Sequence, residues 1–364
     1  MSARGTSVRL GLEADFWTIA SGTAAAQLAF AALVWVYGQS PRAMTALVFE
    51  GTWGSAYGIG QVLFKATPLL FTGLAVHVGL RAGLFNVGAE GQLAAASLAV
   101  GVLGAHLPHG TPAIVALPLL AIVAAAAGAL WAAPAAGLRA RGAHEVISTI
   151  LLNRVADAFI GLMLGLGLAE HGTVRTEEVV AGARLSRLDR FVHPLEGSAA
   201  STAIVIAVLF VAAILWVLPR TRRGREAELV AQNDEACRAE KIPVSRRRSE
   251  ALIASGAIAG LASLGTVLGY KGYFEQGLGA GAGFAGLAVA ILGRGRLVGI
   301  VFAALLFGTL AQGGLAINAY VPAEAMEVIQ GVVIVVVALA DARLRAWLTE
   351  KLRAIVVLKR EGAS

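Results

Sequence analysis

Ten apolar runs set the terms on which this chain can fold, near 16–37, 62–80, 91–107, 113–137, 146–168, 202–218, 251–270, 277–293, 297–317 and 325–341. A helix of about 20 apolar residues crosses the hydrocarbon core of a bilayer, and inside lipid every backbone amide has to be satisfied within its own segment. The runs therefore predict an all-α membrane protein with about ten transmembrane helices. Charged residues make up only 15% of the chain, against roughly 25% in soluble domains, which agrees. The first run follows Glu13 and Asp15 and exceeds a signal-peptide core of about 7–15 residues, so it reads as a retained span.

An even number of spans puts both ends on one side, and the basic residues say which. With the ends cytoplasmic, cytoplasmic segments hold 22 of the 30 Lys and Arg, nine of them between Arg220 and Arg248. The positive-inside rule then fixes the orientation. The expected organisation is a cytoplasmic N-terminus over 1–15, a transmembrane domain over 16–341 and a basic, amphipathic cytoplasmic tail over 342–364. Within the domain lie a 169–201 outer loop and a 219–250 cytoplasmic segment. The net charge of +7 sits between apolar runs, which suits anionic lipid headgroups and not nucleic acid.

Polar residues at membrane depth are the places where function is expected. The sharpest is RAGLFNVGAEGQ, residues 81–92, with Asn86, Glu90 and Gln92. Two readings of Glu90 stay open: it presents acceptors to a polar solute, or it accepts from backbone N–H groups at the start of the helix it opens. The fifth run carries Glu145, Asn153, Arg154 and Asp157. Arg154 and Asp157, three apart, predict an internal ion pair. Phe284, among small residues in the eighth run, either stacks on a ring-bearing solute or fills space between glycines.

Chemistry-bearing motifs are absent. No segment reads G-x-x-x-x-G-K-[ST], H-E-x-x-H or G-x-S-x-G, and the single cysteine, Cys237, makes no disulfide or zinc site alone. No enzyme, metal site or bound cofactor is expected.

PLLFTGLAVHVGL, residues 68–80, followed by GLFNVGAEGQ, residues 83–92, closely resembles the permease subunits of ATP-driven importers for nucleosides and simple sugars. Their signature runs PL-x-x-TGL and then G-L-F-N-I-G-A-E-G-Q, with Val87 the one change in the second part. EVISTILLN, residues 145–153, resembles the family's E-V-I-x-T-I-M-L-N, and GAGFAGLAVAILGR, residues 281–294, resembles G-x-G-F-x-x-I-A-V-A-L-L-G-R. Residues 224–244 resemble the loop that presses on the ATPase, with Glu228 in place of an arginine and Ala231 and Lys241 in place of glycines.

The resemblance implies a translocation pathway or gate at Asn86, Glu90, Gln92, Glu145, Asn153 and Phe284. It implies ATPase coupling through Gly224, Glu228, Asn233, Glu235, Ala236 and Ile242. ATP and Mg are expected on a separate ATP-binding cassette ATPase. The other implied partners are a second homologous permease subunit in a heterodimer, an extracytoplasmic substrate-binding lipoprotein and membrane lipids, all at a bacterial cytoplasmic membrane. With the charge topology, it also predicts an inverted repeat of helices 2–5 and 7–10, each unit having a glycine-rich break after its first helix. The alternative is an ion- or proton-coupled secondary transporter using Glu90, Glu145 and Asp157 as protonatable groups.

Overall fold

The computed structural model describes residues 27–322 and 324–332, with 24 and 335. The 1–15 segment, the start of the first run, the end of the tenth and the 342–364 tail lie outside the described residues. Among the described residues all regular structure is helical, apart from two isolated bridges, and six helices are long and apolar enough to cross a membrane.

The chain forms two compact units, residues 1–49 with 313–364, and residues 50–312. In the first, the apolar helix α1 (Gln27–Val36) precedes α2 (Pro41–Thr52), whose Val48 packs where a side chain at Gly313 would stand, 2.8 Å away. Helix α2 was not expected. It is too short to register as a span, although Pro41 at its first position is a recognisable start signal.

The second unit holds α3 (Ala56–Leu80), α4 (Ala89–His106), α5 (Ala113–Ala140), α6 (Glu145–Met163), α7 (Ala203–Val217), α8 (Arg222–Gln232), α9 (Asp234–Ala239), α10 (Val244–Gly260), α11 (Ala282–Gly293) and α12 (Leu297–Ala316). Turns of π type extend α6 to Leu168 and carry the helical run of α10 on to Lys271. Helix α3 begins six residues before the predicted 62, because Ser55 accepts a hydrogen bond from Gly58 N at 3.0 Å and caps it. Helix α10 begins at Val244 and not at 251, so the charged Arg246–Glu250 belong to its first turns.

Two helices are central. The most apolar 18-residue stretch within Val244–Lys271 is 83% buried and that of α3 72%, whereas the corresponding stretches of α5, α6 and α7 are less than a third buried. A helix apolar on every side and buried on every side is a core helix, and one that is apolar but exposed faces lipid or a partner. The closest packing joins α5 to α10. The small residues Ala124, Gly128 and Ala132 line one face of α5, opposite Gly256 and Gly260 of α10. A Cβ placed on Gly128 would lie 2.2 Å from the Gly256 carbonyl oxygen, so the two backbones touch.

Helix α11 has 12 residues, about 18 Å at 1.5 Å per residue, roughly half of a hydrocarbon core. The backbone before it is irregular, with Gly277, Gly279 and Gly281 at positive φ. The 169–201 loop is ordered and packed: Thr176 N donates to Phe274 O at 2.8 Å, Val179 N to Gly272 O at 2.8 Å and Leu185 N to Leu268 O at 2.9 Å.

Candidate functional site

Helix α3 ends where Gly83 turns left-handed, φ 70°, and the chain runs irregularly to Gly88 before α4 begins. An amide network makes this break tolerable inside a helical bundle. The buried Asn86 donates from Nδ2 to Gln92 Oε1 at 2.9 Å and to Ser255 Oγ at 2.7 Å, and its Oδ1 accepts from Gly88 N at 3.0 Å. Asn153 of α6 does the same from outside, accepting from Gly91 N and donating to Val87 O, each at 3.0 Å. The buried backbone groups of the break thus find side-chain partners in place of helical ones.

Glu90 points away from its own helix. Its Oε1 accepts from Gly281 N at 2.6 Å and its Oε2 from Gly283 N at 2.7 Å, so the carboxylate caps α11 and not α4. Capping was one of the two readings of this residue, but the helix it serves lies almost two hundred residues downstream. The N-terminal N–H groups of a helix carry partial positive charge, which a carboxylate complements. Contact is close because Gly283 has no side chain: a Cβ there would sit 2.2 Å from Glu90 N. Beside it, Thr72 Oγ1 of α3 donates to Ala282 O at 2.8 Å.

A cavity of about 40 Å³ opens beside this cap, lined by Glu90, Leu93, Asp157, Ile160, Phe274 and Gln276 and by residues 277–280. Asp157 was expected to act only in the secondary-transporter alternative, Gln276 was not among the expected site residues, and no local motif marks either. Arg154 lies 3.7 Å from Asp157, but both side chains are largely exposed on this chain, 85% and 62%, so the pair is not internal to it. Phe284, 48% exposed, stands in the first turn of α11. Glu145 opens α6 next to its cap His144. Among the described residues, no cluster of ligating side chains could hold a metal.

The basic 219–250 segment folds as two short helices against the foot of the break. Thr221 caps α8 by accepting from Gly224 N, and Asn233 caps α9 by accepting from Ala236 N, each at 3.0 Å. Ile242 packs on the buried Val230, Cys237 and Val244, and Glu235 lies exposed on α9. Lys241, in place of a glycine, keeps the left-handed φ of 57° that such a glycine would supply. Glu228 pairs with Arg81, and Arg248 binds Asp234 while its Nε donates to Ala82 O at 3.4 Å. A Cβ at Gly83 would lie 3.3 Å from Ala231 Cα. Contacts from α8–α10 thus converge on Arg81, Ala82 and Gly83, the first residues of the break. Glu226 bridges Arg222 and Arg247, and these guanidiniums, Arg222 first, hold its carboxyl below the ordinary range.

Residues 58–338 match the family described as branched-chain amino acid transport system / permease component. The guanosine ABC transporter permease protein NupP of Bacillus subtilis is 33% identical, over 85% of this chain and 88% of its own length. The glucose ABC transporter permease protein TsgB13 of Haloferax volcanii is also 33% identical, over 79% and 78%. The nucleoside ABC transporter permease protein NupB of Lactococcus lactis is 30% identical, over 80% and 82%. No solved structure matches the chain.

Proposed function

Because this chain belongs to the family of branched-chain amino acid transport system permease components, we propose that it is the membrane-spanning permease subunit of an ATP-binding cassette importer of nucleosides, with simple sugars as the second solute class. Similarity over most of the length of permeases for guanosine, nucleosides and glucose supports that choice of solutes. As a permease component the chain lowers no chemical barrier; ATP and Mg belong to a separate ATPase subunit. A second homologous permease completes the pathway in a heterodimer, and an extracytoplasmic lipoprotein delivers the solute. In this reading the chain has about ten spans, with helices 2–5 and 7–10 as an inverted repeat and both ends cytoplasmic, and sits in a bacterial cytoplasmic membrane in contact with its anionic lipids.

One observation carries the mechanism: the basic segment and the Glu90 cap meet opposite ends of a single irregular stretch. In this reading Gly224, Glu228, Asn233, Glu235, Ala236 and Ile242 shape the surface on which the ATPase bears. Its movement reaches Arg81–Gly83 and shifts the break that Asn86, Gln92 and Asn153 hold. Glu90 then carries the shift to α11 and Phe284, and Glu145 rides on α6. Two states of different stability, not a chemical step, do the work.

Uptake into vesicles holding the assembled importer tests this. Accumulation that requires ATP and ignores imposed ion gradients is expected; uptake driven by a proton or sodium gradient without ATP would replace this reading with a secondary transporter.

A further inference from the structure

We propose that the cavity beside Glu90 reads the hydroxyl groups of the transported ring, and that Asp157 and Gln276 determine which hydroxyls are accepted; this rests on the import function above. Glu90 lines the cavity, but its two oxygens are already committed to Gly281 and Gly283. Two other polar side chains line it. Arg154 stands 3.7 Å from Asp157, too far for a good hydrogen bond. The hydrogen bond that Gln276 makes among the described residues runs from its backbone N to Val174 O, at 3.3 Å, which leaves its side-chain amide free.

The setting supports a solute site over a lipid-facing surface. Arg154 and Asp157 share the exposed face of α6, a helix long and apolar enough to cross a membrane. A charge turned to hydrocarbon costs a few kcal/mol, so this face is turned to water or to protein. Leu93, Ile160 and Phe274 give the cavity an apolar lining beside these groups.

An ionised carboxylate accepts two O–H groups at once, and a primary amide both donates and accepts. Two adjacent hydroxyls on a ring present that pattern, while the carbon face of the ring suits the apolar lining. An anionic solute would meet both Glu90 and Asp157. The ligand chemistry is therefore a neutral ring bearing a vicinal diol, which a ribonucleoside and a hexose share. A cavity of about 40 Å³ has room for little more than water, so the site has to widen during the transport cycle to admit such a ring.

The test uses the complete importer, with its ATPase, partner permease and binding protein, in proteoliposomes. Uptake of guanosine is compared with that of 2′,3′-dideoxyguanosine, and uptake of glucose with that of 2-deoxyglucose, for the unmodified chain, Asp157→Asn and Gln276→Leu. The binding protein is the same throughout, so any change in preference belongs to the permease. Asp157→Asn is expected to lower the preference for the hydroxylated solute by roughly tenfold, about the worth of one hydrogen bond to a charged group, and Gln276→Leu by roughly fivefold, about that of one between neutral groups; the pair that responds identifies nucleoside or sugar as the source. Preference unchanged in both variants, with paired solutes rising or falling together, overturns the proposal. Gln276→Leu answers the question if Asp157→Asn fails to assemble. An unmodified importer that carries neither solute class refutes the import function itself, a result distinct from unchanged preference.

Discussion

Arg248 holds Asp234 with two nitrogens on two oxygens, at 2.9 and 2.7 Å. This fork ties α9, on the face proposed to meet the ATPase, to α10, one of the two central helices. Lysine cannot reproduce it, having a single point charge where the guanidinium has a planar pair of donors.

Arg248→Lys and Asp234→Asn are accordingly expected to leave ATP hydrolysis by the assembled importer within about twofold of normal while lowering solute moved per ATP severalfold, the loss of one charge-assisted contact. Simultaneous measurement of phosphate release and uptake checks this. Hydrolysis and uptake falling in step would place the pair in general stability and not in coupling.

Glu90→Ala removes both acceptors from the first turn of α11. Each hydrogen bond to a charged group is worth about 1.5–3 kcal/mol, so transport should fall by at least about tenfold. Glu90→Gln, which keeps one acceptor oxygen, should fall between. Docking of the binding protein, measured by co-purification, should not change. Near-normal uptake by Glu90→Ala would remove the cap from the transport cycle.

Glycines separate by what a methyl group would meet. Gly128→Ala drives a Cβ into the Gly256 carbonyl and Gly283→Ala drives one into Glu90, whereas Gly137 has nothing within 4 Å. Overpacking a tight contact costs about 1–3 kcal/mol or more, so the first two variants should melt well below the unmodified protein in detergent. Gly137→Ala should match it or gain slightly, since alanine is the better helix former.

Acid should loosen the basic segment through Glu226. Its carboxyl titrates below the ordinary value of 4.5 because Arg222 and Arg247 stabilise the charged form. A lowered folded-state pKa contributes stability that is fully present above the unfolded value and is lost as pH falls through the folded one. No loss is expected between pH 7 and 5, and progressive loss below about pH 4.5. Thermal unfolding followed across that range checks it, and Glu226→Gln should flatten the acid limb from this residue while starting from lower stability at pH 7.

Apolar runs of span length and the polar break were legible because each is written in consecutive residues, whereas Lys241 read only as a departure from a glycine and its left-handed turn did not show. The partner of Glu90 was not legible. A carboxylate before a helix signals a cap on that helix, and nothing local says that Gly281 and Gly283 lie closer than its own amides. Asp157 was legible as one half of a pair with Arg154 and as a protonatable group at membrane depth, but spacing along one helix shows its neighbours and hides the cavity on its flank. Asn86 and Gln92 were marked as polar at depth, but their bond to each other depends on a turn that sequence periodicity cannot draw.

Where α5 crosses α10, carbonyl meets Cα with nothing larger than an alanine methyl between them. Rotamer changes are what let one helix slide past another, and a seam of glycines and alanine methyls has none to offer. The two helices are geared together as a single strut, and whatever swings in this molecule must hinge on something other than that seam.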